Sequence, residues 1–322
     1  MPVIWSNAHL PADAAAELAA GVAPHRLLLS PTPSGSLATG QADPQLAEAT
    51  IAFGQPDVRQ VMELPNLKWI QLTTAGYARY DRPDVRQALQ NRGASMTNAS
   101  TVFAEPCAQH ALAFMFAQSR QLPRAVANQL SARAWPQTEI RHASRLLRNQ
   151  TVLMLGLGAI ARRLIELLAP LKLNVIAVRR SPRGQEKIPV YPNSDLPRLL
   201  PQADHIVNIL PSTPETDRLF NAEKFAILKP TAVFYNIGRG TTVDQTALAA
   251  ALTANRLAAA YLDVTDPEPL PPEHPLWLAP NCHITPHTAG GHAEEFLDTV
   301  RHFLANLKRF ESGQSLQDQI MP

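Results

Sequence analysis

Three polar residues stand in an order that suits proton transfer beside a bound anion. Arg239 lies in FYNIGRGTTVD, Glu268 in LDVTDPEPL and His287 in ITPHTAGG. An arginine can hold a carboxylate with paired hydrogen bonds, and an imidazole can give or take a proton near neutral pH. A carboxylate beside that imidazole would orient it and favour its charged form. Taken singly, each residue could equally be a solvated surface group, so the interpretation depends on the motif that precedes them.

That motif is the glycine-rich segment GLGAIA at residues 156–161. A strand pattern, Thr151–Leu155, comes before it and a helix pattern, Arg162–Leu168, comes after it. In a dinucleotide-binding turn, Gly156 would permit the tight bend and Gly158 would let the backbone approach a pyrophosphate. The start of the helix would add free N–H groups. Glycines also close ordinary turns, but the strand and helix around these favour dinucleotide binding.

The end of the next strand predicts which dinucleotide is bound. A carboxylate that binds the ribose hydroxyls usually stands there, but VIAVRRSPR places Arg179 and Arg180 at that point. Guanidinium groups bind a 2′-phosphate, which a carboxylate would repel. We therefore expect NADP(H) to be preferred, with NAD(H) possible. The alternative interpretation is a solvated basic loop.

Short apolar runs alternate with helical patterns along the chain, which predicts an α/β fold of buried parallel strands. Ten strand candidates are too many for one sheet of usual size, so two doubly wound parallel-sheet lobes are expected. The boundary is placed near Thr97–Thr101, before a long helix in AEPCAQHALAFMFAQSR, and a last helix is predicted at about 294–310. The strand candidates are Val3–Trp5, Arg26–Leu29, Ile51–Phe53, Trp69–Leu72, Val152–Leu155, Val175–Val178, His205–Leu210, Val233–Asn236, Ala259–Leu262 and His283–Thr285.

Composition excludes several other classes of protein. The 322 residues suffice for two domains, and a net charge of +2 gives no reason to expect nucleic-acid binding. The longest apolar stretches are too short to span a bilayer, so no membrane binding is expected. No secretory signal or membrane span is recognised, and the distant Cys107 and Cys282 fit neither a disulfide scaffold nor a thiolate zinc site, so a cytoplasmic location is expected. His283, His287 and His292 lie in a strand end and a loop interrupted by proline and glycine, and no metal site is predicted.

The glycine-rich segment and the segments that carry Arg239, Glu268 and His287 together resemble the D-2-hydroxyacid dehydrogenase family. This family includes glyoxylate/hydroxypyruvate reductases, D-lactate dehydrogenases and phosphoglycerate dehydrogenases. The similarity runs from about Leu67 to Gly291 in the family's order. It implies a Rossmann cofactor domain at residues 101–288, inserted in a flavodoxin-like substrate-binding lobe made of residues 1–100 and rejoined by residues 289–322. It also implies reduction of a small 2-oxo acid to the D-2-hydroxy acid by hydride transfer from NAD(P)H.

The resemblance assigns roles to individual residues. Arg239, Glu268 and His287 would be catalytic, and the loop Thr74-Ala75-Gly76 would bind substrate together with Arg239 and His287. The segment QLPRAVANQLSARAWP resembles the family's dimer arm, so a homodimer is expected. Asp263 would meet the nicotinamide carboxamide, and the full set of expected cofactor contacts is Gly156, Gly158, Ala159, Ile160, Arg179, Arg180, Leu210, Pro211, Thr213, Ile237 and Asp263.

Two alternatives stay open at this point. A non-catalytic, corepressor-like regulator on the same fold could keep the three polar residues, although no long basic arm supports that role. The second alternative is an enzyme for a different substrate class, such as an amino-acid dehydrogenase. The 2-oxo acid itself is not identified by the sequence.

Overall fold

The structure, a computed structural model, describes residues 1–35, 38 and 40–322. The chain forms two compact units, one made of residues 1–103 and 291–322 and the other of residues 104–290. Among the helices of these described residues, none combines the length and the apolar character that crossing a membrane requires.

The strands are β1 (Val3–Ala8), β2 (Arg26–Ser34), β3 (Ile51–Gly54), β4 (Trp69–Leu72), β5 (Ser95–Thr97), β6 (Thr151–Leu155), β7 (Asn174–Val178), β8 (Val190–Tyr191), β9 (His205–Asn208), β10 (Val233–Asn236), β11 (Ala259–Leu262), β12 (Cys282–Ile284) and β13 (Gln319–Met321). The α-helices are α1 (Ala12–Gly21), α2 (Val58–Glu63), α3 (Pro83–Asn91), α4 (Ser100–Ser119), α5 (Leu122–Leu130), α6 (Gln137–Ala143), α7 (Ala159–Leu168), α8 (Leu196–Leu199), α9 (Ala222–Ala226), α10 (Gln245–Thr253) and α11 (Glu295–Glu311). Each of the ten predicted strands is present, but β9 ends at Asn208, so the predicted strand residue Leu210 lies in the following loop.

The first unit is a six-stranded sheet in the order β13-β5-β4-β3-β1-β2. Strands β1 to β5 pair in parallel, and β13 pairs antiparallel with β5. The order of the five parallel strands is that of flavodoxin-like sheets. Apolar cores lie on both faces: Leu18 of α1 and Phe303 of α11 belong to one, whereas Val61 of α2 and Leu89 of α3 belong to the other.

The second unit is a seven-stranded sheet in the order β12-β11-β10-β9-β6-β7-β8, and all its pairings are parallel. This is the Rossmann order extended by one strand. Leu248 of α10 and Phe225 of α9 pack in a core on one face of this sheet. On the other face, α4 meets the sheet where Phe114 contacts the Tyr261 ring at 4.7 Å. The predicted fold class, two doubly wound α/β lobes, is confirmed.

Candidate active site

The predicted cofactor and catalytic residues of the second unit follow the carboxyl ends of its strands. Because parallel strands end at one edge of a sheet, the loops that carry these residues share that edge. The chain reverses its direction across the sheet between β6 and β9, which are neighbours, and ligands of open α/β sheets bind at such a point. Along the edge the residues come in the order His287, Glu268, Arg239, Leu210, Gly156 and Arg179.

The glycine turn between β6 and α7 is shaped for close approach of an anion. Gly156 has a φ of +92°, which favours glycine, and a Cβ at Gly158 would meet nothing within 4 Å. Gly158 is the N-cap residue of α7 and has no side chain that could bind the N–H groups at the start of the helix. The first backbone N–H groups of a helix have no intrahelical partner, and here they belong to Ala159 and Ile160. An open backbone and a helix N-terminus together suit the pyrophosphate of a dinucleotide.

The loop after β9 borders this turn and is held by its own side chains. The Leu210 N–H lies 3.3 Å from Asn208 Oδ1, and the Thr216 hydroxyl donates to the Pro211 carbonyl at 2.6 Å. Thr213 is joined to the same Thr216 hydroxyl at 3.2 Å. Ile237 is buried and its N–H donates to the Asn208 carbonyl at 3.1 Å. Hydrogen bonds therefore hold the predicted cofactor contacts of this loop, and also Ile237, which follows β10.

Arg239 is a partly buried cation at the end of β10. Its carbonyl accepts hydrogen bonds from Asn236 Nδ2 at 3.0 Å and from the Thr242 hydroxyl at 2.6 Å, which fixes the backbone. Its Nη1 donates to the Gly238 carbonyl at 2.6 Å. Within residues 1–35, 38 and 40–322, no acidic side chain forms an ion pair with this guanidinium. Its remaining N–H groups can therefore bind an anion, and their forked arrangement suits the two oxygens of a carboxylate.

His287 and Glu268 form a hydrogen-bonded pair. Nδ1 of His287 lies 2.7 Å from Oε2 of Glu268, and the other carboxylate oxygen accepts the Thr265 N–H at 3.0 Å. Both side chains stay about one-third exposed, at 31% for His287 and 36% for Glu268. With Nδ1 engaged, Nε2 is the nitrogen that can exchange a proton with a ligand. The pair can thus act as an oriented general acid or base.

Asp263, at the end of β11, organises the backbone around His287. Its carbonyl accepts the His287 N–H at 2.8 Å, and its carboxylate accepts the N–H groups of Thr288 and Ala289 at 2.8 and 2.9 Å. Its Oδ1 also accepts the Thr285 hydroxyl at 2.7 Å. His287 has a φ of +53°, an uncommon conformation for a residue with a side chain. Asp263 therefore holds both sides of a locally strained loop.

Two further residues of this network were not selected from the sequence. His110 of α4 places Nε2 3.2 Å from the Thr285 hydroxyl and 3.7 Å from Asp263 Oδ1. Burial lowers the pKa of His110, and the charge of Asp263 opposes that shift. The position of Thr285 beside the His287 motif was a usable signal. Nothing in the spacing of His110, 175 residues away, pointed to this contact.

Arg179 and Arg180 follow β7 directly, where the ribose-binding acid would stand. The Arg179 N–H donates to the Tyr191 carbonyl at 3.0 Å, and Nη1 lies 3.4 Å from Oε1 of Glu186. Arg180 is exposed. The pKa of Glu215, in the loop after β9, is lowered first by a hydrogen bond from Thr213 and to a smaller extent by the charge of Arg180. The basic pair thus has acidic neighbours of its own.

The predicted substrate loop Thr74-Ala75-Gly76 belongs to the first unit and follows β4. Its carbonyls are all engaged: Thr74 accepts the Ala99 N–H at 2.9 Å, Ala75 accepts Asn98 Nδ2 at 2.6 Å, and Gly76 accepts the Thr74 hydroxyl at 2.7 Å. No partner for the N–H groups of Ala75 and Gly76 is found in the described part of the chain. A turn with occupied carbonyls and free N–H groups can accept an anion.

The placement of metal-ligating side chains and the state of the Cys282 thiol bear on two other kinds of chemistry. Across the described residues, no three His, Cys, Asp or Glu side chains come together as a metal site requires. Burial raises the pKa of Cys282 to about 12, which makes its thiol a poor nucleophile at neutral pH.

Comparisons with known proteins agree with this geometry. Residues 112–289 match the family model for the D-isomer specific 2-hydroxyacid dehydrogenase, NAD binding domain. An uncharacterised protein encoded in the proB 3′ region of Corynebacterium melassecola is 34% identical over 280 residues, which is 85% of this chain and 89% of that protein. The glyoxylate/hydroxypyruvate reductase B of Escherichia fergusonii is 33% identical over 238 residues, which is 70% of this chain and 69% of the relative.

Among solved structures, a D-isomer specific 2-hydroxyacid dehydrogenase from Xanthobacter autotrophicus Py2, in complex with NADPH and MES, is similar over 99% of this chain and 98% of its own. Its TM-score is 0.81 at 26% sequence identity. The matched family model covers more than half of the chain, and it includes the glycine turn, Arg239, Glu268 and His287. The chain therefore belongs to the D-isomer-specific 2-hydroxyacid dehydrogenase family and is an oxidoreductase with an NAD(P)-binding domain.

Proposed function

We propose that the protein reduces a small 2-oxo acid to the corresponding D-2-hydroxy acid and takes the hydride from NADPH in preference to NADH. The observation that carries this proposal is the His287–Glu268 pair, 2.7 Å apart, on the same sheet edge as the unpaired Arg239 guanidinium and the glycine turn. Such an edge offers one group for the substrate anion and another for the proton.

The roles of the side chains follow from their free atoms. Arg239 binds the substrate carboxylate or 2-oxo oxygen through the N–H groups that its contact with Gly238 leaves unused. His287 donates a proton from Nε2 to the carbonyl oxygen during reduction, and Glu268 keeps its ring oriented through Nδ1. The bound nicotinamide supplies the hydride. The N–H groups of Ala75 and Gly76 in the first unit are proposed to bind substrate carboxylate.

The cofactor preference rests on the arginines after β7. Gly156 and Gly158 provide the open turn for the pyrophosphate, while Arg179 and Arg180 occupy the position of a ribose-binding acid. Two charge-assisted contacts to a 2′-phosphate contribute roughly 1.5–3 kcal/mol each before screening by solvent. The NADPH of the Xanthobacter relative agrees with this choice.

A panel of 2-oxo acids, including glyoxylate, hydroxypyruvate, pyruvate and bulkier acids, assayed with NADPH and NADH tests the reaction. Chiral analysis of the product should show the D-isomer, and adding ammonia should not change the product. The double variant Arg179→Ala/Arg180→Ala should lose most of the NADPH preference while its efficiency with NADH stays near the wild-type value. The matched variant Arg183→Ala/Lys187→Ala removes the same charge from the same loop and should keep the preference. Absence of cofactor oxidation with every acid would overturn the proposed reaction.

A further inference from the structure

The segment between β7 and β8 contains a carboxylate that contacts Arg179, one of the two arginines predicted to bind a 2′-phosphate. Glu186 is shielded from solvent, with its side chain 7% exposed. Its Oε1 accepts the Arg183 N–H at 2.9 Å, and its Oε2 accepts the Gln185 N–H at 3.1 Å. Gly184, inside the same turn, has a φ of +73°. The Glu186 carboxylate therefore closes a turn of the loop by accepting the N–H groups of Arg183 and Gln185.

The same carboxylate reaches Arg179 by a longer contact. Glu186 Oε1 lies 3.4 Å from Arg179 Nη1, well beyond the 2.7–2.9 Å of a strong charge-assisted hydrogen bond. The hydrogen bond from the Arg183 N–H is the largest cause of a lowered pKa at Glu186, so the group is ionised at neutral pH. The Arg179 side chain is 22% exposed, and the contact uses one of its five donors. Arg179 thus stands beside a fixed negative charge without being saturated by it.

We propose that Glu186 is a specificity-determining residue that competes with the cofactor's 2′-phosphate for Arg179 and thereby limits the preference for NADPH. The inference rests on the proposed function, since it assumes that Arg179 meets that phosphate. A 2′-phosphate carries about −1.5 to −2 charges and contacts the guanidinium that Glu186 also contacts. Two anions that contact the same guanidinium repel each other. Glu186 has no such effect on a cofactor that carries free ribose hydroxyls.

The ligands that separate this effect from catalysis are adenosine 2′,5′-bisphosphate and adenosine 5′-monophosphate, which lack the nicotinamide. Their dissociation constants are measured by calorimetry on the wild type and on Glu186→Gln, which removes the charge and keeps acceptor oxygen for the turn. We expect the bisphosphate to bind about tenfold more tightly to Glu186→Gln, which corresponds to about 1.4 kcal/mol, and the monophosphate to bind equally. The control Glu63→Gln removes one exposed charge from α2 in the first unit and should change neither constant.

Two further variants test the route of the effect. Glu186→Ala should also favour the bisphosphate, though less, because the N–H groups of Arg183 and Gln185 lose their acceptor. In an Arg179→Ala background, Glu186→Gln should have a much smaller effect, since the shared guanidinium is gone. If neither Glu186 variant lowers the ratio of the bisphosphate constant to the monophosphate constant, or if the effect is the same without Arg179, the proposal is wrong.

The outcome also separates this inference from the proposed cofactor preference. A wild type that favours the bisphosphate, with variants that leave the ratio unchanged, overturns the role of Glu186 alone. A wild type without preference and a Glu186→Gln variant that gains one support the competition and overturn the NADPH preference of the natural protein. No preference in any of these proteins overturns both.

Discussion

His287 shows what one residue contributes at this site and how it acquires its geometry. Its ring is oriented through Nδ1 by Glu268, and its backbone is held at a φ of +53° by Asp263. The residue type and its place in ITPHTAGG made His287 a candidate from the sequence alone. The backbone conformation and the hydrogen bonds to Asp263 depend on two adjacent strand ends, which no local pattern specifies.

The variant His287→Ala should lower kcat by about two to four orders of magnitude, because it removes the proposed general acid. The effect should appear in steady-state reduction of whichever 2-oxo acid the wild type uses best. His9→Ala, at an exposed histidine of the first unit, should retain wild-type kcat. A His287→Ala protein with near-normal kcat would remove this residue from the mechanism.

Glu186 and His110 mark the limit of sequence reasoning at the residue scale. Glu186 lies seven positions after Arg179 in a polar loop, and no periodicity indicates that their side chains meet. His110 lies on a helix with apolar residues around it, where a histidine is ordinarily a core residue. Contacts of this kind arise from loop folding and helix placement, so they became visible only in the structure.

At the scale of elements, most strands of four or more residues were readily predicted, whereas three of the four shorter strands were missed. Four- or five-residue aliphatic runs such as those of β6 and β10 stand out between helical patterns. The three strands that were missed, β5, β8 and β13, have two or three residues each. Their extended conformation comes from pairing with a neighbouring strand, and so few residues show no periodicity of their own.

The loop between β12 and His287 leads to a prediction about how the Thr285 hydroxyl positions His287. Thr285→Val removes the hydroxyl that donates to Asp263 and lies near His110, so the loop that holds His287 should loosen. We expect kcat to fall about tenfold and the free energy of unfolding to fall by about 1 kcal/mol. Thr285→Ser keeps the hydroxyl and should restore kcat. Equal kcat in the valine variant and the wild type would show that this hydrogen bond does not position His287.

A buried histidine of β9, beside the neighbouring strand β10, should make the stability of the protein depend on pH. His205 is buried, with Nδ1 2.9 Å from the Tyr235 hydroxyl and Nε2 2.5 Å from Gln150 Oε1. Burial lowers the pKa of His205 from 6.5 to about 4, against a smaller opposing effect of the Asp204 charge. Between these values the unfolded chain binds a proton that the folded protein does not. The free energy of unfolding that comes from keeping His205 neutral is therefore fully present above about pH 6.5 and is lost as the pH falls toward 4.

Urea titrations followed by circular dichroism at several values from pH 7 to pH 4.5 would measure this effect. Replacing His205 by Gln should reduce the slope of unfolding free energy against pH, by up to about 1.4 kcal/mol per unit. His142→Gln, at an exposed histidine of the same unit, should keep the wild-type slope. A His205→Gln slope equal to that of the wild type would mean that His205 is not the titrating group.

At the scale of the whole molecule, the segment from Gln121 to Pro136 exposes apolar side chains that nothing within one chain covers in the described residues. Its helix α5 buries no residue, although Leu122, Val126 and Leu130 recur at spacing four and form an apolar stripe. Leu130 is 76% exposed and the following Trp135 is 90% exposed. A nine-residue helix is too short to be stable in water by itself. Its stripe is therefore expected to be covered, as the resemblance to a dimer arm suggests.

We expect a homodimer in which this stripe packs against a second copy of the chain, since exposed apolar patches mark association surfaces. Light scattering at micromolar concentration should give twice the single-chain mass of 35.2 kDa. The double change Val126→Glu/Leu130→Glu places charges in the stripe and should shift the protein toward the single-chain mass. Leu278→Glu introduces one such charge at a leucine that is 92% exposed outside the segment, and it should leave the dimer intact. A wild-type particle of 35.2 kDa would contradict the dimer, and the exposed stripe would then need a different partner.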